Sequence, residues 1–134
     1  MLVGIPQYGL DVLWVVFLKF QNYAFLSIIA KSVLNAKLCE TEVDARRVSV
    51  LESGQDILII PQATLGGKLK GKSPQYHGLI SKSIGEQIFT EYVDHIKKAV
   101  ESSGKGGIVE SGVYGARQIL SMETNGPFTH IVDI

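Results

Sequence analysis

Two short stretches of this chain carry residue types and spacings suited to handling a ligand. Pro61-Gln62-Ala63-Thr64-Leu65 follows the apolar run 57–60 and is closed by Gly66 and Gly67. In an extended chain Gln62 and Thr64, two apart, face the same side. A strand ending here presents an amide and a hydroxyl beside a glycine turn, which is either one wall of a site or a strand that stops in a polar turn. Pro61 marks the boundary, because it cannot donate to a sheet ladder. The second stretch is Asn125-Gly126-Pro127. Asn-Gly is a strong turn signal, and Gly-Pro joins a bare backbone to a fixed φ, so main-chain groups there can face a ligand.

A third group is cationic. Lys68, Lys70 and Lys72 are interleaved with glycine and leucine in the segment 66–77, with Tyr76 beyond them. Such lysines could clamp phosphates and the tyrosine could stack on a base; equally, they could keep a surface loop solvated. The glycine spacing matches neither a Walker nor a dinucleotide fingerprint. His77, His95 and His130 are scattered without metal-ligand spacing, and His130 has no motif that supplies a nucleophile and a carboxylate. The single Cys39 excludes an internal disulfide framework and a multi-cysteine zinc site. No metal and no cofactor is expected.

Length and composition fit one ordinary domain: 134 residues, 46% hydrophobic and 19% charged. Thirteen basic residues balance 13 acidic ones, so any anion site must arise from local clustering. The apolar stretch 10–30 is interrupted by Asp11, Lys19, Gln21 and Asn22, and no basic residue precedes Lys19. Neither a membrane span nor a signal peptide is expected. An intracellular location follows by default.

The elements that must position these residues follow from periodicity. Residues 10–20 read as a buried central strand, and 25–38 carry an apolar stripe at helical spacing. Residues 48–51 suggest a short strand, joined through Ser53-Gly54 as a hairpin to a strand at 57–60. Residues 66–77 read as a loop. Residues 84–100 form the clearest helix, capped by Ser81 or by Ser83 in a capping box with Glu86. Strands near 108–109 and 118–122 and a tail from 124 complete the chain. The expected fold is α+β in one domain, 1–134, with a mostly antiparallel sheet and two main helices.

Taken together, residues 61–65 and 125–127 resemble the two signature motifs of the D-aminoacyl-tRNA deacylase family. Bacterial-type members usually have Ser and Phe where Pro61 and Ala63 stand here. With Gly66-Gly67, Lys70-Gly71, Gln75-Tyr76-His77, Tyr114-Gly115 and the stretch 124–130, the chain looks like the animal-type branch, from about residue 9 to residue 134. The resemblance implies a barrel-like core and a cytoplasmic homodimer that takes the aminoacylated 3′ end of tRNA. It implies hydrolysis of the ester of a mischarged D-aminoacyl-tRNA, and of some L-alanyl-tRNA, assisted by the tRNA 2′-hydroxyl. Carried over residue by residue, Pro61, Gln62, Ala63, Thr64 and Leu65 would line the substrate pocket, with Thr64 as the catalytic side chain. Asn125, Gly126 and Pro127 of one subunit would gate the pocket of the other. Lys68, Lys70 and Lys72, by charge, would contact tRNA phosphates. Residues 1–8 do not match the family, whose members carry more sequence before the segment matching Leu10. That departure keeps an alternative in view: a shortened, inactive paralogue of the same fold that only binds tRNA.

Overall fold

The protein's structure, a computed structural model, describes residues 2–5, 10–15, 23–41, 43, 46–123 and 128–131. Strands β1 (Leu2–Ile5) and β2 (Leu10–Val15) are antiparallel neighbours. The 3-10 turn Tyr23–Phe25 leads into helix α1 (Leu26–Leu34). Leu26, Ala30, Val33 and Leu34 form its buried stripe, at spacings of three and four. Ile28, one of the apolar residues within the span 25–38, is 56% exposed because it falls a third of a turn outside the buried stripe. Cys39 is buried in the two-residue strand β3 (Cys39–Glu40), which pairs with β4 (Arg47–Val48).

The strand expected at 57–60 forms, but the short strand at 48–51 and its hairpin to 57–60 do not. Val50–Ser53 is a short helix, α2, fixed by a capping box: Ser49 N–H donates to Glu52 Oε2 at 2.7 Å and Glu52 N–H to Ser49 Oγ at 3.2 Å. The bond from the Ser49 backbone is the main reason the Glu52 carboxyl is held below its usual pKa. Gly54, at φ 68°, ends this helix in the left-handed region rather than turning a hairpin.

The next strand, β5 (Asp56–Pro61), is the hub of the fold. The main sheet has the order β8-β5-β2-β1-β9, where β8 is Val109–Ser111 and β9 is Phe128–Ile131. Between β5 and β8 the chain makes a 3-10 turn (Ala63–Gly66), a hairpin and a long helix. The hairpin joins β6 (Lys68–Lys70) to β7 (Ser73–Gln75) around Gly71 at φ 62°, so the segment 66–77 is mostly a sheet ribbon rather than an open loop. The helix, α3, runs Lys82–Ser103. It starts after Ser81, which makes no side-chain cap bond, and Ser83 lies inside it, so the Ser83–Glu86 capping box does not form.

The fold is α+β with two main helices, as expected. Antiparallel pairing dominates the ladders among the described residues, four of six, but β5 is parallel to both its neighbours, β2 and β8. Parallel neighbours need a crossover, and α3 supplies the one between β5 and β8. Ile57 and Ile59 of β5 pack with Leu26 and Leu34 of α1 and with Phe89, Tyr92, Val93 and Ile96 of α3 to make the core. Each such fully buried aliphatic side chain contributes about 1.5–3 kcal/mol. Residues 118–122 form no strand, and Ile119 is 97% exposed. The side chain of Gln118 is instead bonded to the backbone of Val113. No helix among the described residues is long and apolar enough to cross a membrane.

Candidate active site

Because β5 and β8 run parallel, both end at the same side of the sheet. Ligands of sheets with parallel strands sit in the crevice beyond those carboxyl ends. Pro61 closes β5 opposite Val15, and Gly112 N–H donates to Ile59 O at 2.8 Å just after β8. The two exiting segments and the start of α3 enclose a cleft of about 480 Å³, within the range of small-ligand sites.

The first wall is Pro61, Gln62, Ala63 and Thr64. Gln62 and Thr64 meet across a 3-10 turn rather than on one face of an extended strand: Gln62 Nε2 donates to Thr64 Oγ1 at 2.5 Å. With its oxygen accepting that bond, the Thr64 hydroxyl keeps its own hydrogen to donate elsewhere. The backbone then tightens into the 3-10 turn, whose first bond is Leu65 N–H to Gln62 O at 3.3 Å, followed by Gly67 N–H to Thr64 O at 3.1 Å. Leu65 is not among the lining residues.

Leu79 and Ile80 form an apolar floor, and Lys82 enters from the first turn of α3. The opposite wall is Tyr114, Gly115, Ala116 and Arg117. Tyr114 is seated by Phe89, with ring centroids 5.6 Å apart and planes tilted by 42°, and its hydroxyl lies over Gly85. Burial, and then the nearby Glu86 carboxylate, push the Tyr114 phenol above its ordinary pKa. The stem of Lys82 lies against Gly115. Two cations and the N-terminal end of a 22-residue helix therefore face the same space, an arrangement that favours an anionic ligand.

Lys68, Lys70 and Lys72 are exposed on the β6–β7 hairpin and do not line the cleft. Tyr76 is turned back on that ribbon's base, against Gly67. Asn125, Gly126 and Pro127 lie outside the described residues. His95 sits 3.6 Å from Glu91 on the flank of α3, and His130 is on the edge strand β9. Among the described residues no group of His, Cys, Asp or Glu could hold a metal ion. Lys82, Ile80 and Arg117 escaped sequence reasoning; the only signal for that wall was Tyr114-Gly115.

A family model described as D-Tyr-tRNA(Tyr) deacylase matches residues 3–133, so the match begins inside the stretch 1–8. D-aminoacyl-tRNA deacylase 2 of Homo sapiens is 43% identical over 131 residues, covering 95% of this chain and 77% of that protein. The protein of the same name from Gallus gallus is 42% identical over the same shares of both. A solved structure of a probable eukaryotic D-amino acid tRNA deacylase superposes with a TM-score of 0.80 at 29% identity, covering 92% of this chain and 84% of that one. The c-Myc DNA Unwinding Element Binding Protein shares the fold, with a TM-score of 0.83 at 17% identity over 99% of this chain and 97% of that one.

Proposed function

This chain belongs to the D-Tyr-tRNA(Tyr) deacylase family, and we propose that it is a proofreading hydrolase that removes wrongly attached amino acids from tRNA. The substrate is the ester between a D-amino acid, or L-alanine, and the terminal ribose of tRNA. The observation that carries the reading is that the Gln62–Thr64 pair and the cations Lys82 and Arg117 line one cleft. A tRNA 3′ end offers complementary groups: an ester carbonyl, an adenine face and a phosphate.

In this reading the Thr64 hydroxyl donates to the ester carbonyl oxygen, where negative charge grows as the carbonyl carbon is attacked. Gln62 holds that hydroxyl in place. Leu79 and Ile80 receive the adenine, and Lys82 and Arg117 the phosphate behind it. Water adds to the carbonyl carbon, the bond to the ribose oxygen breaks, and a free amino acid and an uncharged tRNA leave. The tRNA 2′-hydroxyl assists the attack, so the protein's share is orientation and polarisation. Neither metal nor cofactor enters this reading.

The protein acts in the cytoplasm as a homodimer of one deacylase domain per chain. Asn125, Gly126 and Pro127 of the partner close the cleft and exclude correctly matched substrates, while Leu65 supports the turn beneath Thr64. Lys68, Lys70 and Lys72 reach the body of the tRNA. Purified protein incubated with D-aminoacyl-tRNA, and separately with L-alanyl-tRNA bearing a threonine anticodon, tests the reaction through loss of ester. Retained ester with retained tRNA binding would reduce the protein to a binding module. A solution mass of one chain would remove the dimer, and unchanged turnover on replacing Gly126 by a bulky residue would remove the gate.

A further inference from the structure

We propose that Gln118 is a positioning residue for the cleft, one that fixes where Tyr114, Gly115, Ala116 and Arg117 stand against the substrate. The proposal rests on the deacylase reading above. Gln118 does not line the cleft and is exposed, so it neither touches the ligand space nor fills the core. Its amide nevertheless makes two bonds to one residue of the loop. Val113 N–H donates to Gln118 Oε1 at 2.7 Å, and Gln118 Nε2 donates to Val113 O at 3.1 Å. A side-chain amide thus pairs with a main-chain amide as a neighbouring strand would. The same Val113 O accepts from Ala116 N–H at 3.3 Å. Residues 113–118 are thereby closed into a ring whose outer rim is the cleft wall.

A second set of contacts ties that ring to the opposite wall. A Cβ on Gly112 would stand 2.7 Å from Gln118 Oε1, 3.0 Å from Gln118 Nε2 and 3.0 Å from Pro61 Cδ. The amide therefore passes directly over a bare backbone that itself abuts Pro61, while Gly112 N–H is bonded to Ile59 O at 2.8 Å. Gln118 sits where the two walls meet. The backbone of Arg117, the immediate neighbour of Gln118, cannot move away from the cleft without straining the amide pair. Were the pair removed, the loop would have to be ordered each time a substrate bound, and that cost falls on binding rather than on the chemical step.

Steady-state kinetics on D-aminoacyl-tRNA with the full chain test this through Gln118→Ala and Gln118→Met. The methionine variant keeps the side chain's length without its hydrogen bonds, so it decides the matter if the alanine variant fails to fold. The expected result is a rise in KM of about tenfold with kcat within about twofold of the unsubstituted chain. A merely structural role would lower the amount of active protein and leave KM where it was. An unchanged KM in a folded Gln118→Met variant, or a fall in kcat alone, would overturn the assignment while the deacylase reading stands. If the unsubstituted chain leaves the ester intact, the deacylase reading falls and the role of Gln118 falls with it.

Discussion

The hydroxyl of Tyr114 occupies the space beside Gly85 that a Cβ would fill. Gly85 is buried in the first turns of α3, and it lets a cleft residue lean across the helix onto Phe89. Gly85→Ala must therefore push Tyr114 off its seat, although alanine is the better helix former by up to about 1 kcal/mol. Overpacking outweighs that gain, and the variant is expected to lose about 1–3 kcal/mol of unfolding free energy. Denaturant titration measures the loss. Tyr114, moved into solvent, should also ionise closer to the ordinary phenol value, as ultraviolet titration reports. An unshifted titration with full stability would mean that the loop has slack to yield.

Tyr92, buried in the core, gives the protein an alkaline limit. Burial raises its phenol pKa far above the ordinary value of about 10. A folded-state pKa above the unfolded one means the contribution is fully present below about pH 10 and is lost as pH rises towards the folded value. The unfolded chain then releases a proton that the folded chain keeps, so stability falls by up to about 1.4 kcal/mol per pH unit. Tyr92→Phe should remove that share of the slope in denaturant unfolding between pH 9 and about 11. Equal slopes would remove Tyr92 as its source.

The first wall of the cleft was legible in the sequence and the second was not, for a physical reason. The run 57–60 with Pro61, Gln62 and Thr64 is local: burial and strand end follow from adjacent residues, and Gln62 and Thr64 are close enough in sequence to meet even though a 3-10 turn, not an extended strand, joins them. Lys82, Tyr114 and Arg117 come together only through the crossover of α3 and the parallel pairing of β5 with β8. The alternation of strand and helix carried that information, since a helix between neighbouring strands is the usual parallel crossover. The short helix Val50–Ser53 was hidden differently. Its four residues show no period, and only the Ser49–Glu52 spacing announced it. Residues 118–122 misled because apolar side chains suggested a strand where the Gln118 amide had claimed the backbone of Val113.

The Gln62–Thr64 bond predicts unequal effects from two similar changes. Thr64→Ser keeps the hydroxyl and should retain most turnover, whereas Thr64→Val keeps the shape and loses the donor. The valine variant is expected to lower kcat by about 10²–10³, the effect of removing one donor from a developing oxyanion. Gln62→Ala frees the hydroxyl to rotate without removing it, so a smaller loss of kcat is expected. Single-turnover ester hydrolysis separates the three. Equal rates for Thr64→Val and the unsubstituted chain would transfer polarisation to the backbone of the turn.

The two cationic groups should differ in which part of the tRNA they sense. Lys82 and Arg117 line the cleft, whereas Lys68, Lys70 and Lys72 stand outside it on the β6–β7 hairpin. Each phosphate contact to a single strand contributes about 0.7 to the slope of log affinity against log salt, and contacts to duplex about 0.9. Replacing Lys82 and Arg117 by glutamine should therefore weaken binding of both intact tRNA and a short 3′-end oligonucleotide, and flatten both slopes. Neutralising the three hairpin lysines should flatten the slope for intact tRNA and leave the oligonucleotide unaffected, because a short end has no stem to meet the hairpin. Binding titrations at several salt concentrations give both slopes. If the hairpin variant weakens the oligonucleotide as much as the tRNA, the lysines belong to the cleft. If it weakens neither, they serve the solubility of an exposed ribbon.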